Sequence, residues 1–272
     1  MAAPRPRRTR LDAELVRRGL ARSREHASEL IAGGRVSVGG AVAQKASTQV
    51  GADAPVVVRA AQDGPDYVSR GGPKLAGALT AFLPRGLVVG GRRCLDLGAS
   101  TGGFTDVLLR AGARQVVAVD VGYGQLAWSL QSDPRVVVRD RTNARELTSE
   151  LVAGPIELVV GDLSFISLRL VLPAVVTVTE PDADLVLMVK PQFEVGRERL
   201  GAGGVVRDPA LRAEAVRDVA ASALNLGLGV KGVTASPLPG PSGNVEYFLW
   251  LARGAQPLRE DVLLNTIAEG PQ

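Results

Sequence analysis

Arg93-Cys94-Leu95-Asp96-Leu97-Gly98-Ala99-Ser100-Thr101-Gly102-Gly103-Phe104 is the stretch that decides the fold. Its first five residues predict a short strand, Arg93–Leu97. Gly98 and the Gly102-Gly103 pair predict a tight turn in which the backbone can approach a ligand closely. Phe104, Val107, Leu108 and Ala111 then fall on one face of a helix over Phe104–Ala111. A strand, a glycine-rich turn and a helix form the opening unit of a sheet that holds its ligand at the carboxyl ends of its strands.

Downstream the rhythm repeats. Apolar runs predict strands at Gln115–Val119, Arg135–Val138, Leu158–Val160, Leu185–Val189, Val230–Ala235 and Val245–Leu251. A long helix is expected over Pro209–Leu226, capped by Asp208 and ended by Gly227. Upstream, Pro73 opens a helix whose inward stripe is Leu75, Ala78, Leu79 and Phe82. The alternation predicts a doubly wound, Rossmann-like α/β sheet with helices on both faces. From Arg253 onward no pattern is legible.

A different module precedes it. Leu11, Leu15 and Val16 suggest a short helix stopped at Gly19. Ser23 can cap a second helix that buries Ala27, Leu30 and Ile31. Arg35–Val38 and Pro55–Val58 read as strands, with Gly39-Gly40 as a turn. Residues 1–59 are therefore expected to form a small α+β domain, residues 60–66 a linker, and residues 67–272 the main domain.

Composition narrows the function. The 272 residues hold one cysteine, Cys94, and one histidine, His26. An internal disulfide is impossible, which points to a reducing, cytoplasmic setting, and a zinc site built from His and Cys is excluded. The basic N-terminus is not followed by an apolar core, so it is not a secretory signal. The apolar stretch around Leu168–Val178 is interrupted by Arg169 and Pro173 and is too short to span a membrane. Stable membrane association is therefore not expected. Net charge is +4, but residues 1–35 hold nine arginines against four acidic residues. A basic head on a nearly neutral body suggests contact with a polyanion.

The glycine turn admits several ligands. Ser100 stands where a nicotinamide site wants its middle glycine, and no lysine follows to make a phosphate loop. Gly98-x-Ser100-x-Gly102 matches a hydrolase nucleophile elbow, but the only histidine lies in the head. An S-adenosylmethionine site and a merely structural turn remain. For the former, Asp120 ends the second strand, 22 residues beyond Gly98, where it can accept from ribose hydroxyls, and Asp140 ends the third strand, where it can reach an adenine amino group.

Four charged residues gather at the same edge. Asp162 follows the fourth strand and Lys190 the fifth. Glu246 opens the last strand, which shares that edge if it runs antiparallel, and Lys74 can close the group from the side. Lys190 follows Leu185–Val189 and precedes proline, so it is partly withdrawn from water. Burial disfavours the ammonium form, which suits a general base, and Asp162 would orient it. A sulfonium methyl is already a strong electrophile, so a hydroxyl acceptor needs positioning and one base, without a metal.

Several segments together resemble the TlyA family. They are Ser69–Leu75, Asp96–Thr105, Asp162–Ser167, Val189–Glu194 and Gly240–Tyr247. TlyA proteins are 2′-O-ribose methyltransferases, also known as hemolysins, and the resemblance runs from Arg10 to about Leu251. It implies a class I, FtsJ-like methyltransferase domain that uses S-adenosylmethionine and no metal. A Lys74, Asp162, Lys190 and Glu246 tetrad would be catalytic, with Lys190 as the base. The cofactor would be held by Asp96, Gly98, Ser100, Thr101, Gly102, Gly103, Phe104, Asp120, Asp140 and Asp162. The implied target is cytidine in small- and large-subunit ribosomal RNA. The head resembles the RNA-binding domain named after ribosomal protein S-four, with Gly39-Gly40 where Asn-Gly is more usual. Arg10, Arg22, Arg24 and Arg35 are its expected phosphate contacts. Aromatic residues are nearly absent from the head, so it is expected to read RNA through the backbone rather than by stacking. Two other readings compete: a membrane-lysing protein, and an RNA-binding assembly factor without catalysis. The number of copies is open, a monomer being the simpler expectation.

Overall fold

Seven strands build the central sheet: β6 (Arg93–Leu97), β7 (Gln115–Val119), β8 (Val136–Arg139), β9 (Ile156–Gly161), β10 (Thr179–Val189), β11 (Leu228–Ala235) and β12 (Tyr247–Arg253). Their order is β11-β12-β10-β9-β6-β7-β8. The run from β8 to β10 is parallel, whereas β12 is antiparallel to both of its neighbours. The strands occupy the expected places. They differ mainly in length, β10 beginning six residues before the apolar run that signalled it. Buried on both faces, the parallel strands read as continuous apolar runs, and Leu95, Val117, Val159, Leu187 and Leu249 sit in one core.

The computed structural model describes residues 8–21, 23–59, 65–240 and 242–270. It falls into two compact units, Met1–Ser69 and Arg70–Gln272. In the larger unit, α3 (Gly71–Phe82) precedes the sheet and buries Leu75, Ala78, Leu79 and Phe82, the predicted stripe. The Phe82 ring meets Trp250 of β12 at 5.4 Å. The helix α4 (Gly103–Arg110) follows the glycine turn, and α9 (Pro209–Asn225) is capped by the Asp208 carboxylate, which accepts from the Ala210 N–H. Short helices α5 (Trp128–Gln131), α6 (Ser149–Val152), α7 (Leu172–Thr177) and α8 (Pro191–Glu194) fill the crossovers. The chain then adds α10 (Glu260–Glu269), which buries Leu263 and Ile267 and was not legible in the sequence.

The smaller unit holds β1 (Arg8–Arg10), α1 (Leu11–Arg17), α2 (Arg24–Ala32), β2 (Val36–Val38), β3 (Ala41–Val42), β4 (Gln49–Gly51) and β5 (Val56–Val58). The strands form a β1-β4 pair and a β3-β2-β5 sheet around Leu11, Leu15, Ala27, Leu30, Ile31 and Val36. The Ser23 hydroxyl accepts from the His26 N–H, as its capping role requires. Arg22, Arg5 and Arg7 lie outside the described residues, as does most of the expected linker. Among the described residues no helix is long and apolar enough to cross a membrane.

Candidate active site

The sheet reverses its direction of growth between β6 and β9, and the crevice at that switch point is where an open α/β sheet binds ligands. Gly98 ends β6 there with φ 78°. A Cβ on it would stand 2.9 Å from the Asp162 carbonyl oxygen, so the two strand ends approach as closely as only glycine allows. Gly102 has φ 100°, and a Cβ there would collide with the Leu130 side chain. The turn is thus pinned from both sides.

A cavity of about 530 Å³ opens against this turn. Gly98, Ser100, Asp120 and Asp162 line it, together with Gln125, Asn143 and Phe165. The Asp120 carboxylate accepts from the Ser100 N–H at 2.8 Å and from the Gly122 N–H at 2.7 Å. The other predicted cofactor residues do not reach the cavity wall. Asp96 is fully buried beneath the turn, accepting from the Thr105 hydroxyl at 2.6 Å, and burial pushes its carboxyl up to about 7. Phe104 packs against Phe248 in the core, at 6.0 Å. Thr101, Gly102 and Gly103 form the back of the turn rather than its wall. Asp140 accepts from the Gly124 N–H at 2.8 Å and so braces the loop that carries Gln125, rather than facing the cavity.

The four charged residues meet as two ion pairs. Val189 of β10 lies opposite Tyr247 of β12, so the next residue on one strand, Lys190, and the preceding residue on the other, Glu246, share one edge. β9 delivers Asp162 to that edge, because Leu187 pairs with Gly161 in the parallel register. The Lys190 Nζ stands 2.6 Å from Asp162 Oδ1 and donates to the Ser164 Oγ at 2.9 Å. Lys190 is 8% exposed, withdrawn from water as its apolar approach predicted. The Lys74 Nζ lies 2.5 Å from Glu246 Oε2, both side chains buried. The remaining Glu246 oxygen has no hydrogen-bond partner among the described residues.

Ser164 and Phe165 are additions that sequence reasoning missed. Phe165 holds a left-handed backbone at φ 64° and is 91% exposed, its ring 5.2 Å from that of Phe193. An aromatic residue in that conformation is strained, and such strain clusters at functional sites. The sequence signal was place alone, within the Asp162–Ser167 segment that carries part of the family resemblance.

In the smaller unit, Arg10 and Arg24 both reach Asp12, at 2.9 and 3.0 Å, and Arg35 reaches Asp66 at 3.3 Å.

Comparison with known proteins follows the division into units. The FtsJ-like methyltransferase description matches residues 67–253, and the S4 domain description matches residues 9–56. The chain is 59% identical over 271 residues to the 16S/23S rRNA (cytidine-2′-O)-methyltransferase TlyA of Mycobacterium tuberculosis, covering 97% of this chain and 99% of that one. It is 38% identical over 240 residues to Hemolysin A of Brachyspira hyodysenteriae, covering 88% of this chain and 97% of that one. A solved structure from Streptococcus thermophilus, titled as a hemolysin, superposes with a TM-score of 0.77 at 35% identity, over 97% of this chain and 95% of that one.

Proposed function

The chain belongs to the FtsJ-like methyltransferase family, as a TlyA-type member that carries an S4 domain, and from that premise we propose that it methylates the ribose 2′-hydroxyl of cytidine in ribosomal RNA of both subunits. The donor is S-adenosylmethionine and the setting is the cytoplasm. The observation that carries this reading is the meeting of Lys190 and Asp162, 2.6 Å apart, at the strand edge beside the cavity.

The cavity fits the donor. Its volume of about 530 Å³ lies within the usual range for cofactor sites. Gly98, Ser100, Asp120 and Asp162 would hold it, with Asp120 accepting from ribose hydroxyls. Asp96, Thr101, Gly102, Gly103 and Phe104 keep the turn in shape from behind, and Asp140 braces the loop opposite. When bound, S-adenosylmethionine supplies an activated methyl group. The protein's part is to orient the acceptor and remove its proton. Lys190 Nζ takes the 2′-hydroxyl proton, while Asp162 and Ser164 fix the position of its nitrogen. Lys74 and Glu246 hold the opening of β12 beside it. The exposed Phe165 ring, backed by Phe193, offers the target base a surface to stack on. Arg10, Arg22, Arg24 and Arg35 contact RNA phosphates.

The test is transfer from labelled S-adenosylmethionine to ribosomal subunits from cells that lack this protein. A 2′-O-methyl group removes the nucleophile of alkaline RNA cleavage, so the label is expected in alkali-resistant dinucleotides at cytidine, with chelator present. Label on a base, or none at all, would contradict the assignment.

A further inference from the structure

Asp12 is a buried acid that serves two arginines at once. Its side chain is 4% exposed, and a single oxygen, Oδ2, lies 2.9 Å from Arg10 Nη2 and 3.0 Å from Arg24 Nη2. Its other oxygen accepts from the Ala13 N–H at 2.8 Å and from Arg10 Nε at 3.1 Å. The carboxylate is thereby fixed to the start of α1, while the arginines come from the end of β1 and the start of α2. Three elements thus converge on one carboxylate.

The arginines keep most of their own surface. Their side chains are 46% and 61% exposed, and Asp12 is the only side-chain partner of either among the described residues. Each guanidinium has five N–H donors, and Asp12 occupies a minority of them. Two forks held on one oxygen are close together and have lost rotamer freedom before any ligand arrives. A phosphate, with several acceptor oxygens, matches such a pair, and two cations against one anion leave the cluster at a net charge of +1. Elsewhere on α1 the same arrangement is closed off. Glu14 also takes two arginines, Arg17 and Arg18, but Arg18 spends its remaining donors on the Ala52 and Ala54 carbonyls. The Asp12 group has no such second anchor.

We propose that Asp12 is a positioning residue that presents Arg10 and Arg24 together to one phosphate of the RNA backbone. This rests on the reading of the S4 unit as the RNA-holding part of the chain. Preorganisation improves binding because the ordering cost is met within the free protein.

The test turns on sign. Asp12→Asn keeps the oxygen that caps Ala13 but places an amide against the two guanidiniums. It also makes the protein more positive by one charge, which by itself tightens binding to a polyanion. Full-length protein and a labelled transcript of small-subunit ribosomal RNA are titrated over a range of salt. The expected result is a several-fold weaker affinity for Asp12→Asn, with a log–log salt slope shallower by about 0.9, one phosphate's worth. In an Arg10→Gln/Arg24→Gln background the same substitution causes no loss, leaving only the slight tightening that the added positive charge gives. Equal or tighter binding by Asp12→Asn, or an equal loss in the arginine-free background, overturns the proposal. Should Asp12→Asn melt early, the arginine variants decide alone: on one shared phosphate the double variant loses little more than the worse single one, and additive losses overturn the idea. A wild-type protein that shows no salt-dependent binding would instead remove the underlying assignment of the S4 unit.

Discussion

Burial at Asp96 has a cost that pH can reveal. The carboxyl sits under the glycine turn with one oxygen on Thr105 and the other without a partner among the described residues, and desolvation raises it to about 7. Below the ordinary carboxylate range both folded and unfolded chains carry the proton. Between about pH 4 and 7 only the folded chain keeps it, so stability falls as pH rises through that window; above it the full penalty stands. Glu194, also raised by burial, acts in the same direction. Asp12 and Glu14, held below their ordinary range by arginines, act in the opposite sense at lower pH and belong to the smaller unit. The expected outcome is that Asp96→Asn flattens the fall in melting temperature of the larger unit between pH 5 and pH 8. Equal slopes for wild type and variant would count against a protonated Asp96. That Asp96 works from behind the turn was not legible in the sequence. Its place in the strand alternation was, but which face the cavity would open on was not.

At the scale of elements, the Lys74–Glu246 pair ties α3 to the opening of β12, with the Phe82 ring tilted against Trp250 further along the same contact. Breaking a buried pair strands one charge without a partner, at a cost of about 3–5 kcal/mol, whereas replacing both members with apolar groups is often neutral. Lys74→Met alone should therefore lower the denaturant midpoint strongly, and Lys74→Met/Glu246→Leu should recover most of it while methyl transfer stays impaired. A single variant as stable as wild type would show that the pair does not hold α3 in place. The elements themselves were legible in proportion to their length. The strands of the sheet show as apolar runs, and α3, α4 and α9 each bury a stripe over two turns or more. The helices α5 to α8 span 4 to 6 residues, too short for periodicity to register. In α10 only Leu263 and Ile267 are buried, a stripe too thin to separate from a polar tail.

For the whole molecule, charge and chemistry are divided between the two units. The arginine excess lies in the head, while the larger unit carries the cavity and the Lys74–Glu246 and Lys190–Asp162 ion pairs. The sequence placed Asp162, Lys190 and Glu246 because strand ends collect at one edge and register brings them together, while Lys74 reaches Glu246 from α3. It did not reveal Ser164 or Phe165, which depend on how a loop turns after β9, nor that Arg10 and Arg24 share an acid. The account as a whole depends on proton removal by Lys190. Its most direct test is single-turnover methyl transfer to ribosomal subunits by Lys190→Ala and Asp162→Ala, alongside calorimetric titration of each with S-adenosylmethionine. Both variants are expected to lose transfer by at least a hundredfold, the low end of the usual contribution of general-base catalysis, ~10²–10⁴, while Lys190→Ala binds the cofactor nearly as wild type does. Wild-type transfer rates in both would contradict it.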